Sequence, residues 1–171
     1  DTPYFILGNG SNLLVGDGGY RGTVIQVYRN MSAVTVEGTT ITAQAGALLS
    51  AVAAAAKNAS LTGFEFAGGI PGTVGGAAVM NAGAYGGEMK DVLVEVTVMD
   101  AEGKIFAIPA EKLELGYRTS VIKKAGYIVL EAKIRLKEGD QEAIRERMKE
   151  LTIQRTTKQP LEYPSAGSTF K

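Results

Sequence analysis

The chain of 171 residues has no cysteine, no histidine and no tryptophan. Without thiol or imidazole there is no disulfide, no thiol nucleophile, no serine–histidine–aspartate triad, and no zinc site built on sulfur or ring nitrogen. Proton chemistry is left to Ser, Tyr, Lys, Asp and Glu, and harder chemistry points to a bound cofactor rather than a metal. Charge of one sign is also lacking. Eighteen basic residues balance eighteen acidic ones, so no overall field draws the molecule onto nucleic acid or a membrane surface. The longest uncharged run, Phe66 to Gly87, is interrupted by Pro71 and several glycines, which excludes a transmembrane helix, and no stretch reads as a signal peptide. These absences predict a cytoplasmic protein without metal, nucleic-acid or membrane partners.

What is present is ordinary for a globular domain: 45% hydrophobic and 21% charged residues. Tyr4 to Leu7 reads as a short strand feeding a tight turn. The β-branched runs 23–27, 33–38 and 39–46 read as strands, with Glu37-Gly38 as a hairpin corner. Residues 47–58 predict a helix with Leu48, Val52 and Ala55 on one side. Further on, Val92, Val94, Val96 and Val98 fall on one face of a strand that turns at Asp100 to Gly103, and Pro109 opens a short helix. Between 128 and 136 the alternation places Ile128, Leu130, Ala132, Ile134 and Leu136 inward. Asp140 caps a last helix with Ile144, Met148 and Leu151 as its apolar stripe. Strands come in hairpins with helices between groups, which predicts an α+β domain with a mostly antiparallel sheet and flanking helices. Both ends carry small-residue turns that stop abruptly, and this predicts a piece of a longer chain.

Two segments are poor in side chains. Residues 67–87, AGGIPGTVGGAAVMNAGAYGG, hold eight glycines and no charge; residues 8–12 read GNGSN. A turn without Cβ atoms can bring backbone N–H groups within hydrogen-bonding distance of an anion, such as a diphosphate. Gly8, Asn9, Gly10, Ser11 and Asn12 are candidates on one side. Pro71, Gly72, Thr73, Gly75, Gly76, Asn81, Ala82 and Gly83 are candidates on the other, with Thr73 and Asn81 adding side-chain bonds. Neither segment is a common nucleotide fingerprint. Leu13 occupies the third glycine position of the dinucleotide motif, and the lone Gly-Lys pair, Gly103-Lys104, is followed by Ile105 rather than Ser or Thr. Glycines that serve only close packing are the alternative reading. Two such turns, each with Asn and a hydroxyl residue, favour a ligand.

The segments LGNGSNLLV, GGIPGTVGGAAVMNAGAYGGE, LGYRTS, RTTKQP and SAGSTFK, in that order and spacing, resemble the bacterial UDP-N-acetylenolpyruvoylglucosamine reductase family across essentially the whole chain. The resemblance implies an FAD-binding lobe of the vanillyl-alcohol-oxidase-type flavin fold. It also implies reduction of UDP-N-acetylglucosamine enolpyruvate by NADPH to UDP-N-acetylmuramate, a peptidoglycan precursor. Residues 1–28 then correspond to the tail of a first FAD-binding lobe, 29–158 to a second, and 159–171 to the start of a truncated substrate domain. The two glycine turns would hold FAD. Arg118 matches the family's active-site arginine and Ser168 its proton donor, with Tyr117 and Lys158 near the substrate. The family also contributes a catalytic glutamate beyond the matched region, so the 171-residue piece alone is expected to be nearly inactive and to hold flavin weakly.

Each assignment has a local alternative. Arg118 can cap carbonyls at a helix end, Ser168 can hydrogen-bond within its own turn, and Lys158 can answer a helix dipole. Glu65, an acid among apolar neighbours, can brace a loop through backbone N–H groups. The rivals for the whole chain are another flavoprotein oxidase of the same fold and a non-catalytic module whose glycines only pack.

Overall fold

The computed structural model describes residues 2–158. Strand β1 (Tyr4–Leu7) pairs in parallel with β2 (Thr23–Gln26), forming a two-stranded sheet of its own. The main sheet follows. Strands β3 (Val34–Glu37) and β4 (Thr40–Gln44) form a hairpin whose corner is Gly38-Thr39, one residue later than the sequence pattern suggests. Helix α1 (Leu49–Asn58) and the short strand β5 (Leu61–Thr62) precede helix α2 (Val74–Met80). A small hairpin, β6 (Gly83–Ala84) with β7 (Gly87–Glu88), leads into β8 (Leu93–Met99) and β9 (Ile105–Pro109). Helix α3 (Val121–Ala125), strands β10 (Ile128–Arg135) and β11 (Lys137–Glu138), and helix α4 (Gln141–Lys158) complete the described chain.

The five-stranded sheet has the order β3-β4-β10-β8-β9, and every neighbouring pair in it is antiparallel. This is the α+β arrangement expected from the hairpin spacing. Its inner face, with Ile41, Ala43, Val96, Val98, Ala132 and Ile134 buried, is covered by α1 and α2. Burying a branched aliphatic side chain contributes about 1.5–3 kcal/mol, so this layer supplies much of the driving force that holds α2 in place.

Bulges explain where the alternation in the sequence misleads. The register of β10 against β8 shifts between Val129 and Glu131, and again between Lys133 and Ile134. The first shift turns Val129 inward and leaves Ile128 and Leu130 only half-buried; the inward series of even-numbered residues holds from Ala132 onward. The second shift turns Leu93 inward and exposes Val94. An extra residue on one strand inverts the facing of everything on one side of it.

The helices also depart from expectation in detail. Helix α1 buries Leu49, Val52, Ala53 and Ala56, because Leu48 is still extended and bridges Thr73. The short helix expected after Pro109 is a single 3-10 turn, Ala110–Lys112. Asp140 does cap α4, accepting the Ala143 N–H at 2.8 Å, and Ile144 and Leu151 are buried beneath it. Among the described residues no helix is long and apolar enough to cross a membrane.

Candidate functional site

Residues 8–12 leave the end of β1 as a turn that is tethered through its carbonyls. Val27 N–H donates to the Leu7 carbonyl at 2.8 Å, the Gln26 side chain donates to Gly8 O at 3.2 Å, and Leu13 N–H donates to Gly10 O at 3.3 Å. The N–H groups of Gly8, Asn9, Gly10, Ser11 and Asn12 have no partner among the described residues. Exposed or half-exposed donors arranged in series around a turn form a concavity for an anion.

The second loop sits against the first. Asn9 donates through Nδ2 to the Pro71 carbonyl at 3.1 Å. A Cβ on Gly8 would overlap Thr73 Oγ1, and a Cβ on Gly72 would lie 3.8 Å from Ser11 Oγ. Thr73, buried, caps α2 by accepting the Gly76 N–H on Oγ1 at 3.5 Å. The N–H groups of Gly72 and Thr73 are without partners among the described residues. They extend the row begun at Gly8.

Five of the expected cofactor residues fall outside this row, Pro71 because it has no N–H, and a sixth, Gly76, uses its N–H in the cap. Gly75 donates its N–H to the Ala45 carbonyl at 2.8 Å, and a Cβ there would lie 3.0 Å from Ala45 Cβ. It serves close packing of α2 on the sheet end. Asn81 ends α2 in the left-handed conformation, φ 46°. Its Nδ2 donates to Glu88 Oε2 at 2.6 Å and to Gly116 O at 3.3 Å, while Oδ1 accepts the Lys90 N–H at 2.9 Å. Both of its amide hydrogens are therefore used inside the protein. Ala82 donates to Ala77 O, and Gly83 pairs with Glu88 in the small hairpin. Asn81 stands eight residues beyond Thr73 along α2, roughly 12 Å at the helical rise, so one phosphate group cannot reach both.

Arg118 lies on a tight turn, not at a helix end. Gly116 and Thr119 exchange backbone bonds of 3.1 and 3.3 Å, leaving Tyr117 and Arg118 at the exposed tip, with Arg118 at φ 57°. No hydrogen bond or ion pair to its guanidinium exists among the described residues, so the carbonyl-capping alternative is not what the side chain does. The turn is fastened to the far end of α2 from two sides. Asn81 reaches Gly116 O, and Ser120, fully buried, donates to Val79 O at 2.7 Å. Lys158 is the last residue of α4 and is exposed. Ser168 lies outside the described residues.

Two residues of this region carry no sequence signal. Gln26 steadies Gly8, yet reads as an ordinary polar strand residue. Arg155, on α4, places Nη1 3.3 Å from where a Cβ on Gly69 would stand, so a guanidinium borders a loop that has no cation of its own. Glu65 does brace its loop: it accepts from Thr62 Oγ1 at 2.6 Å and from Gly63 N–H at 2.8 Å.

Residues 1–108 match the model of a family described as FAD binding domain. The chain belongs to that family. Open amides on two adjoining turns, with little side-chain bulk between them, are what an FAD pyrophosphate requires, so the donor set fits the cofactor. Two relatives, the UDP-N-acetylenolpyruvoylglucosamine reductases of Clostridium tetani and Clostridioides difficile, are 57% and 54% identical over 100% and 99% of this chain. The chain spans only 55% and 56% of their lengths. The crystal structure of UDP-N-acetylenolpyruvylglucosamine reductase from Thermus caldophilus superposes with a TM-score of 0.86 at 40% identity, covering all of this chain and 62% of that one. A solvent-stable cholesterol oxidase superposes with a TM-score of 0.59 at 17% identity, over 78% of this chain and 30% of that one, which shows a shared fold and nothing about its reaction.

Proposed function

We propose that this chain is the FAD-binding part of a reductase that uses NADPH to convert UDP-N-acetylglucosamine enolpyruvate to UDP-N-acetylmuramate, in the cytoplasm, for peptidoglycan synthesis. The reading rests chiefly on the unpartnered N–H row of Gly8 through Asn12 set against Gly72 and Thr73, in a chain more than half identical to reductases of that name. Within it, residues 1–28 belong with a first FAD-binding lobe, 29–158 form a second, and 159–171 begin a substrate domain.

When bound, FAD supplies hydride transfer. The N–H groups of the two turns hold its pyrophosphate, with charge neutralised by backbone dipoles rather than by Lys or Arg. Arg118, whose guanidinium has no partner among the described residues, pairs with the substrate carboxylate. A planar, bidentate, permanently charged donor stabilises the negative charge that develops beside that carboxylate during reduction. Ser168 donates the proton to the adjacent carbon. Tyr117 and Lys158 contact the substrate. The 171-residue chain on its own turns over little substrate and binds flavin weakly, since it spans little more than half of its curated relatives.

The test is the visible spectrum of the full-length protein. A flavin band that bleaches with NADPH under anaerobic conditions, and returns when the enolpyruvyl sugar nucleotide is added, is the expected result. A colourless full-length protein with no FAD-dependent rise in melting temperature would sink the proposal.

A further inference from the structure

We infer that Asn81 is a positioning residue for Arg118, holding the arginine turn at a fixed offset from the FAD turns through the length of α2. The inference rests on the role proposed above for Arg118. Helix α2 begins at the cap residue Thr73, which touches Gly8, and ends at Asn81, which bonds the carbonyl of Gly116. One rigid helix therefore has the cofactor turns at one end and the arginine turn at the other. Its seven residues include two glycines, so the helix is held by its contacts rather than by intrinsic propensity.

Asn81 is suited to the task in three respects. It is buried, so its bonds are shielded from water. Asparagine adopts the left-handed conformation more readily than most residues, which lets the side chain turn back from the helix end. Its amide then clamps two stretches of chain at once: residues 88–90, through the Glu88 carboxylate and the Lys90 N–H, and the arginine turn, through the Gly116 carbonyl. Glu88 is itself fixed, because its N–H donates to Asp91 and its carboxylate pairs with Lys90 Nζ at 3.1 Å. Ser120 supplies the second attachment, at Val79 O. The arginine's guanidinium makes no hydrogen bond or ion pair with the described residues, and its carbonyl accepts only from the exposed Lys123 Nζ at 3.4 Å, so the turn's placement is set chiefly by the attachments at Gly116 and Val79.

The test uses the FAD-loaded full-length chain with Asn81→Gly, which keeps the backbone conformation and removes the clamp. The variant is expected to retain bound flavin at parity. Its kcat should fall roughly 10- to 100-fold, the usual consequence of displacing a reacting group by about 1 Å, with hydrogen exchange quickened in the 113–121 peptide even without flavin. Combined with Arg118→Ala it should lower kcat by less than about twofold beyond Arg118→Ala alone, because the positioned group is gone. If Asn81→Gly does not fold, Asn81→Asp serves instead. It keeps an acceptor for Lys90 and sets an oxygen against Gly116 O, and it is held to the same outcomes. An impaired Arg118→Ala with unchanged Asn81 variants overturns the positioning role only. Equal loss in both backgrounds also overturns it, since that is a general structural defect. An Arg118→Ala variant as active as the parent overturns the role of Arg118 and this inference together.

Discussion

Replacing Gly8 by alanine isolates the contact on which the cofactor site depends. The added methyl would overlap Thr73 Oγ1 and come within 3.4 Å of Thr73 Cγ2 and 3.5 Å of its Cβ. Thr73 is buried and its hydroxyl caps α2, so it cannot turn aside without giving up the cap, a loss of about 1 kcal/mol. The alternative is a shift of the turn, whose N–H groups must lie in one place only when a ligand is bound. In the free protein the turn relaxes; in the complex it cannot. Overpacking by one methylene-sized group costs about 1–3 kcal/mol, which corresponds to a roughly 5- to 150-fold weaker Kd for FAD, with a smaller change in Tm of the flavin-free protein. The assay is quenching of flavin fluorescence on titration into the full-length apoprotein. Thr73→Ala supplies the control, because removing Oγ1 and Cγ2 makes room for the new methyl. Gly8→Ala should then cost little affinity in that background. If Gly8→Ala weakens FAD equally with and without the Thr73 hydroxyl, or leaves the Kd within twofold, the argued contact is not what shapes the site.

Arg118→Lys keeps the charge but loses the planar fork, and should lower kcat about 10- to 100-fold with a smaller change in KM, measured by steady-state kinetics. Ser120→Ala removes a fully buried hydroxyl bonded to Val79 O and should destabilise by about 1–3 kcal/mol in urea unfolding. The ammonium of Lys133 is held above its usual 10.5, first by the hydrogen bond it donates to Glu95 and then by that carboxylate's charge. A raised pKa gives stability that is complete below the unfolded value and lost as pH rises through the folded one. The Tm difference between the parent and Glu95→Gln should therefore be flat from about pH 6 to about pH 9 and shrink only above about 10.5.

The sheet and helix classes were legible because apolar periodicity reports burial directly, as it does at Ile41, Ala43, Ala132 and Ile134. It failed at Val94, Ile128 and Leu130, where bulges in β10 against β8 change the facing partway along a strand. A bulge leaves no mark on a period-2 pattern except a fault in phase, and an all-apolar run such as Ile128-Val129-Leu130 has no phase to fault. That residues 8–12 form a turn was legible for a comparable reason: Gly, Asn and Ser cluster directly after an apolar strand. Arg118 was visible only through family resemblance. The residues that fasten its turn, Asn81 and Ser120, lie 37 residues before it and two after it, and no local spacing links an asparagine at a helix end to a carbonyl on a distant turn.

The glycine-rich stretch shows why composition alone cannot assign a binding role. Gly8 and Gly75 are the same residue, each packed closely against a neighbour at the place where a Cβ would stand. They differ in the direction of one bond. The Gly75 N–H points into the sheet end and meets the Ala45 carbonyl, while the Gly8 N–H has no acceptor among the described residues. Gly83 and Gly87 are crowded in the same way, by the Gly87 carbonyl and the Phe66 ring respectively, so crowding by itself sorts none of them. A backbone donor can serve a ligand only if folding leaves it unsatisfied yet reachable by water, since a buried unmade hydrogen bond costs about 1–3 kcal/mol. The turn at residues 8–12 meets that condition because it is exposed and anchored by its carbonyls, which hold the peptide planes in place while their N–H ends stay free. Helix α2 does not offer its first amides in this way. It spends Val74 and Gly75 on Ala47 and Ala45, and so acts as the rod on which the site is spaced rather than as the cradle itself.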